Sequence, residues 1–102
     1  MNTIEYDVFY KQYANKKIKE MSFYFTFEIV DVEHYIGYNK RKEKPFWVGF
    51  CDFPDGCAFD TPDQLVAADI FRGKSLKEWW PEIRIYDIDG LSCQDWLASL
   101  AK

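Results

Sequence analysis

The sequence predicts an α+β domain, a small antiparallel β-sheet of three or four strands with three short helices packed mainly on one face. Three observations lead there. Residues 21–32 alternate, with Met21, Phe23, Phe25, Phe27 and Ile29 on one parity and Ser22, Tyr24, Thr26 and Glu28 on the other, which is the period of a half-buried strand. Two further runs, 46–52 and 83–88, are rich in aromatic and β-branched residues between turn signals. Three Ser or Thr residues, Thr61, Ser75 and Ser92, stand just ahead of short apolar helical patterns.

In chain order, residues 1–20 form an N-terminal segment, a short helix or a flexible arm. Asn2 and Glu5 have capping-box spacing, and Ile4 with Val8, or Tyr6 with Tyr10 and Tyr13, would share helical faces. The polar run 15–20 reads as a linker into a single α+β domain over 21–102. Burying each phenylalanine of the opening strand is worth roughly 1.5–3 kcal/mol, and a one-residue slip would bury Tyr24, Thr26 and Glu28 instead, so the register is well specified. Residues 35–38 either continue that strand through a bulge at Gly37 or begin a new one. The charged stretch 39–45 is an exposed loop ending at Pro45, and the strand that follows is expected to pair with the opening strand in an antiparallel hairpin.

Phe53-Pro54-Asp55-Gly56 is a turn, because proline presets φ and Asp-Gly tolerates the tight geometry after it. Thr61-Pro62-Asp63-Gln64 starts a helix over 61–68, and Ser75-Leu76-Lys77-Glu78 starts one over 75–80 that Pro81 stops. Asp89-Gly90 ends the strand 83–88. Ser92 caps a helix over 92–101, whose Trp96, Leu97 and Leu100 lie at helical spacing; it is expected to lie on the phenylalanine face and give most of its cover.

The chain has 102 residues and a net charge of −4, with eight Lys/Arg against seven Asp/Glu in residues 1–50 and five against ten in 51–102. One domain is what this length supports. The acidic balance argues against direct nucleic-acid binding. No apolar run reaches the roughly 20 residues of a membrane span, and with three cysteines and no secretion signal the expectation is a cytoplasmic protein with reduced thiols.

His34 is the chain's one histidine, so acid–base or Cys–His chemistry would have to use it, but no nucleophile signature surrounds Cys51, Cys57 or Cys93. The four residues add up to a Cys3His set. Structural zinc sites draw ligands in closely spaced pairs, and the nearest pair here is separated by five residues. The aspartates near Gly56 and Gly90 lack the spaced ligands and closing glutamate of a calcium loop. Neither a cofactor motif nor a phosphate loop is present, and the reading is of a protein that is not an enzyme.

Aromatic residues make up 20% of the chain, more rings than so small a core readily hides, so some are expected on a surface that meets a protein partner or a second copy. Tyr24, Thr26 and Glu28 on the outward face of the opening strand, with Trp47, Phe71, Trp79, Trp80 and Tyr86, are the candidate interaction surface. Adjacent helical residues point about 100° apart, so one of Trp79 and Trp80 belongs in the core and the other nearer the surface. The leading expectation is a small non-enzymatic protein-binding or adaptor module with an exposed aromatic surface. The alternative is an acidic inhibitor whose ten carboxylates in the second half imitate nucleic acid. The basic loop at 40–44 reads as solvated.

Overall fold

A computed structural model describes residues 4–28 and 32–101. Among them the chain forms, in order, α1 (Tyr6–Ala14), β1 (Glu20–Phe25), β2 (His34–Tyr38), β3 (Phe46–Val48), β4 (Cys57–Phe59), α2 (Pro62–Ala67), α3 (Leu76–Trp79), a 3₁₀ turn (Trp80–Glu82), β5 (Ile83–Ile88) and α4 (Cys93–Ser99). The strands make one antiparallel sheet in the order β4-β3-β2-β1-β5. The α+β class is as the sequence predicts, with one more strand than expected.

The alternation in β1 does what its parity requires: Met21, Phe23 and Phe25 are buried. It stops at Phe25, where Thr26 and Phe27 form a turn and the Thr26 N–H is taken by the Glu82 carbonyl at 2.9 Å. Residues 29–31 of the expected longer strand lie outside the described residues. β2 is therefore a separate strand that folds back on β1, with Phe23 opposite His34 and Glu20 opposite Gly37. This settles the role of Gly37, which is a position inside β2 rather than a bulge. A Cβ there would come within 2.2 Å of the Lys19 carbonyl and 2.4 Å of the Trp47 ring.

The short loop 39–45 makes β2, not β1, the neighbour of β3, with Ile36 opposite Val48 and Tyr38 opposite Phe46. This corrects the expected pairing of β3 with the opening strand, because the break after Phe25 places a nearer strand in the way. β4 adds at the edge across the Phe53–Gly56 turn. With three residues it is too short to show a period. β5 closes the other edge beside β1, through a bulge opposite Ser22 and Phe23.

The inward face is covered chiefly by aromatic residues from α1 and from residues 71–80. On α1, Phe9 and Tyr13 are one turn apart and fully buried; Phe9 stacks on Trp80 with centroids 4.5 Å apart, and the Tyr13 hydroxyl donates to the Gly37 carbonyl at 2.7 Å. Ile4 and Ile18 are buried in the same core, so the stretch read as a linker is stitched into the body. Asn2 of the expected capping box lies outside the described residues. Glu5 is the N-cap and makes no side-chain cap bond.

The capping boxes at Thr61/Gln64 and Ser75/Glu78 are both formed, and Ser92 accepts the Asp95 N–H. Phe71, between α2 and α3, packs its ring against Phe23 and Phe25 at 5.9 and 5.4 Å. α4 packs on β5, where the Cys93 thiol reaches the Ile85 carbonyl and Trp96 is buried while Leu100 is exposed. The phenylalanine face is thus roofed by the segment around Phe71 and Trp79, with α1 packed beside it on Trp80 and Phe46, which corrects the expectation that the C-terminal helix supplies most of the cover.

Candidate functional site

The face of the sheet turned away from this core follows from the register. Ser22 faces Tyr35, Gly37 faces Trp47, Trp47 faces Ala58 and Tyr24 faces Arg84. Tyr24, Tyr35 and Trp47 are half-buried there, and Trp47 lies over Gly37 because glycine leaves room for the indole. The extra residue in the β5 bulge is Tyr86, which is pushed outward to 62% exposure and meets Tyr24 edge-on at 6.1 Å.

Trp47 also forms one wall of an open cleft of about 510 Å³. Four cationic side chains line it, Lys16 and Lys19 from the α1–β1 connection and Lys40 and Arg41 from the β2–β3 loop, with Tyr38 between them. Lys16 sits in the left-handed conformation, φ 63°, that ends α1, and its ammonium is 5.8 Å from the Tyr38 ring. Asn39 organises the loop: its side-chain carbonyl accepts the Arg41 N–H at 3.0 Å and its own N–H donates to the Pro45 carbonyl at 2.8 Å. Lys42 reaches within 6.0 Å of the Trp47 ring. In a chain of negative net charge, five cations converge on one end of the sheet.

The remaining surface candidates distribute differently. Thr26 is exposed, but beyond the strand end, and donates to Glu82 Oε2 at 3.1 Å. Glu28 does not continue the outward parity. The turn after Phe25 swings it to the core side, where its carboxylate meets His34 Nε2 at 2.8 Å. Phe71 and Trp80 are core residues, 2% and 5% exposed, and drop out of the surface. Trp79 is half-buried, donates its indole N–H to the Phe71 carbonyl at 2.7 Å and packs on Phe27 at 4.6 Å. Of adjacent Trp79 and Trp80, one is in the core and one nearer the surface, as helical geometry requires.

His34 occupies a cleft of about 160 Å³ with Phe25, Glu28, Phe50, Cys51 and Arg72 on its walls. Its Nδ1 lies 2.9 Å from the Phe50 carbonyl. Its Nε2 lies 2.8 Å from the Glu28 carboxylate, so each ring nitrogen has a hydrogen-bonding partner. Rings of Phe23, Phe25, Phe50 and Phe71 surround it within 5.7 Å. These contacts describe a histidine that ties the β1–β2 connection to the loop after β3.

Cys51 and Cys57 approach to 3.5 Å between sulfurs, whereas Cys93 is on α4. No group of three or more His, Cys, Asp and Glu side chains among the described residues is placed to hold a metal ion, and no helix among them is long and apolar enough to cross a membrane. Spacing in sequence had no means of finding the cationic cleft, since Lys16 and Lys19 stand more than eighteen residues from the loop they face. Comparison of the chain with protein-family models, with curated proteins and with solved structures gives no match.

Proposed function

We propose that the protein is a non-enzymatic protein-binding module that holds an acidic segment of a partner protein at the Trp47 end of its open sheet face. The observation that carries this reading is the place of Trp47, at once on the aromatic outer face and on the wall of the four-cation cleft. An indole half-buried over glycine is a preorganised anchor of large apolar area, and aromatic residues ringed by charge are what binding hot spots are built from. The cations supply the sign selection and a salt-sensitive on-rate.

The acidic-mimic alternative has less support. Of the ten carboxylates in the second half, six accept hydrogen bonds that hold the fold: Asp52 from the Arg72 and Gly73 N–H groups, Asp63 from Tyr10, Glu78 from Ser75, Glu82 from Thr26, Asp87 from Ser22 and Asp89 from the Lys19 and Glu20 N–H groups. Those positions are dictated by local structure rather than by the spacing of phosphates.

The test is affinity capture from the native host with the wild type, with Trp47→Ala/Tyr86→Ala and with Lys40→Glu/Arg41→Glu, each first verified as folded by its melt. A discrete protein should be retained by the wild type at low salt, released as salt is raised, and lost from both variants. Equal retention by the variants would refute this use of the face, and a partner recovered only as a nucleic acid would refute the class of ligand.

A further inference from the structure

Cys51 and Cys57 stand on either side of the Phe53–Gly56 turn, with sulfurs 3.5 Å apart. Cys57 opens β4 opposite Val48, so the sheet fixes its position. Cys51 lies in the loop that leaves β3, and this loop is tied down at both ends. The Gly56 N–H donates to the Phe53 carbonyl at 3.0 Å and the Asp52 N–H to the Ile70 carbonyl at 2.8 Å. Gly56, at φ 76°, lets the chain reverse where a Cβ would strike the Val48 carbonyl at 2.5 Å. The reversal is what returns Cys57 to Cys51. Both cysteines are half-buried, and Phe50 and Phe53, on either side of Cys51 in the chain, are 52% and 54% exposed.

We propose that Cys51 and Cys57 form a dithiol modification site that closes to a disulfide by exchange with a low-molecular-weight disulfide. A disulfide requires sulfurs near 2.0 Å, so about 1.5 Å of approach remains, within reach of side-chain rotation and a small shift of an exposed loop. Burial first, and the hydrogen bond with Cys51 second, push the Cys57 thiol up to about 11. Cys51, on the exposed loop, is the sulfur that meets a small disulfide first, and Cys57, held in β4, is the resolving sulfur.

In the first step the Cys51 thiolate attacks one sulfur of the small disulfide, whose S–S bond breaks; a mixed disulfide forms on Cys51 and one small thiolate leaves and is protonated. In the second, Cys57 loses its proton to solvent and attacks the Cys51 sulfur, expelling the second small thiolate. The two protein thiols lose two electrons and two protons in all, and the small disulfide gains them as two thiols. Cys93 stays outside this exchange, its thiol directed at the Ile85 carbonyl on α4's side of the sheet.

The experiment treats the full-length protein in native buffer with oxidised glutathione and follows thiol titration, intact mass and peptide mapping. The wild type should lose two of its three thiols and yield a peptide linked through Cys51 and Cys57, and reduction should restore both. Cys93→Ser should close as the wild type does. Cys57→Ser should stop with glutathione on Cys51. Three persistent thiols, a wild type that keeps glutathione on Cys51 without closing, a link that involves Cys93, or a Cys57→Ser protein left unmodified at Cys51 would each overturn the proposal.

Discussion

Tyr13 carries more of the structure than its type suggests. Its ring stacks on Phe9 at 5.5 Å, meets Phe46 edge-on at 5.3 Å, and its hydroxyl ends on the Gly37 carbonyl of the central strand. Burial holds its phenol well above the usual tyrosine range. The folded state therefore keeps a proton that the unfolded chain, with tyrosines near pH 10, gives up. Stability is intact below about pH 10 and is lost as pH rises beyond it, toward the higher folded value. Tyr13→Phe should cost about 1 kcal/mol at neutral pH through the lost hydrogen bond, yet lose stability less steeply than the wild type in alkali. Urea unfolding at a series of pH values reads both effects, and equal alkaline slopes would show that this phenol is not buried.

Among the elements, α3 is the one most dependent on its ends, since it has four residues and owes its start to a cap. Glu78 accepts from the Ser75 N–H and hydroxyl, each at 3.1 Å, and Ser75 accepts the Glu78 N–H in return. The backbone hydrogen bond from Ser75, followed by that from its hydroxyl, holds the Glu78 carboxyl below its ordinary range. Its stabilisation is thus present above about pH 4.3 and is lost as pH falls through the lower folded value. Glu78→Gln should lower the urea midpoint slightly at neutral pH, with the gap closing in acid; a constant gap would mean that the charge plays no part. This capping box and that of α2 were legible in the sequence because both partners lie three residues apart, whereas β4 was not, because three residues show no period.

At the scale of the molecule, the N-terminal segment and the sheet form one core. Ile4, Phe9, Tyr13 and Ile18 are buried with Phe23, Leu76 and Trp80, and the Trp80 indole donates to the Ile4 carbonyl at 2.8 Å. Removing residues 1–17 would expose the Trp80 face and delete several rings from the core, each worth roughly 1.5–3 kcal/mol of burial against a total stability of about 5–15 kcal/mol. The truncated chain should lack a cooperative melt, and a sharp transition near that of the full chain would show the segment to be dispensable. The candidate surface divides in the same way: the outward place of Tyr24 followed from strand parity, while the bulge that exposes Tyr86, the meeting of Lys16 and Lys19 with Lys40 and Arg41, and that of Glu28 with His34, did not.

The sequence by itself determined what is local: the parity of β1, the caps of three helices, the turn before β4 and the chain's acidic balance. Each rests on interactions between residues a few positions apart. The tertiary structure decided which strand lies beside which, that Phe71 and Trp79 rather than α4 roof the phenylalanine face, and which charges and thiols converge. Those outcomes turn on which distant apolar faces best repay the entropy of closing the chain between them, and the identity of neighbouring residues carries no record of that competition.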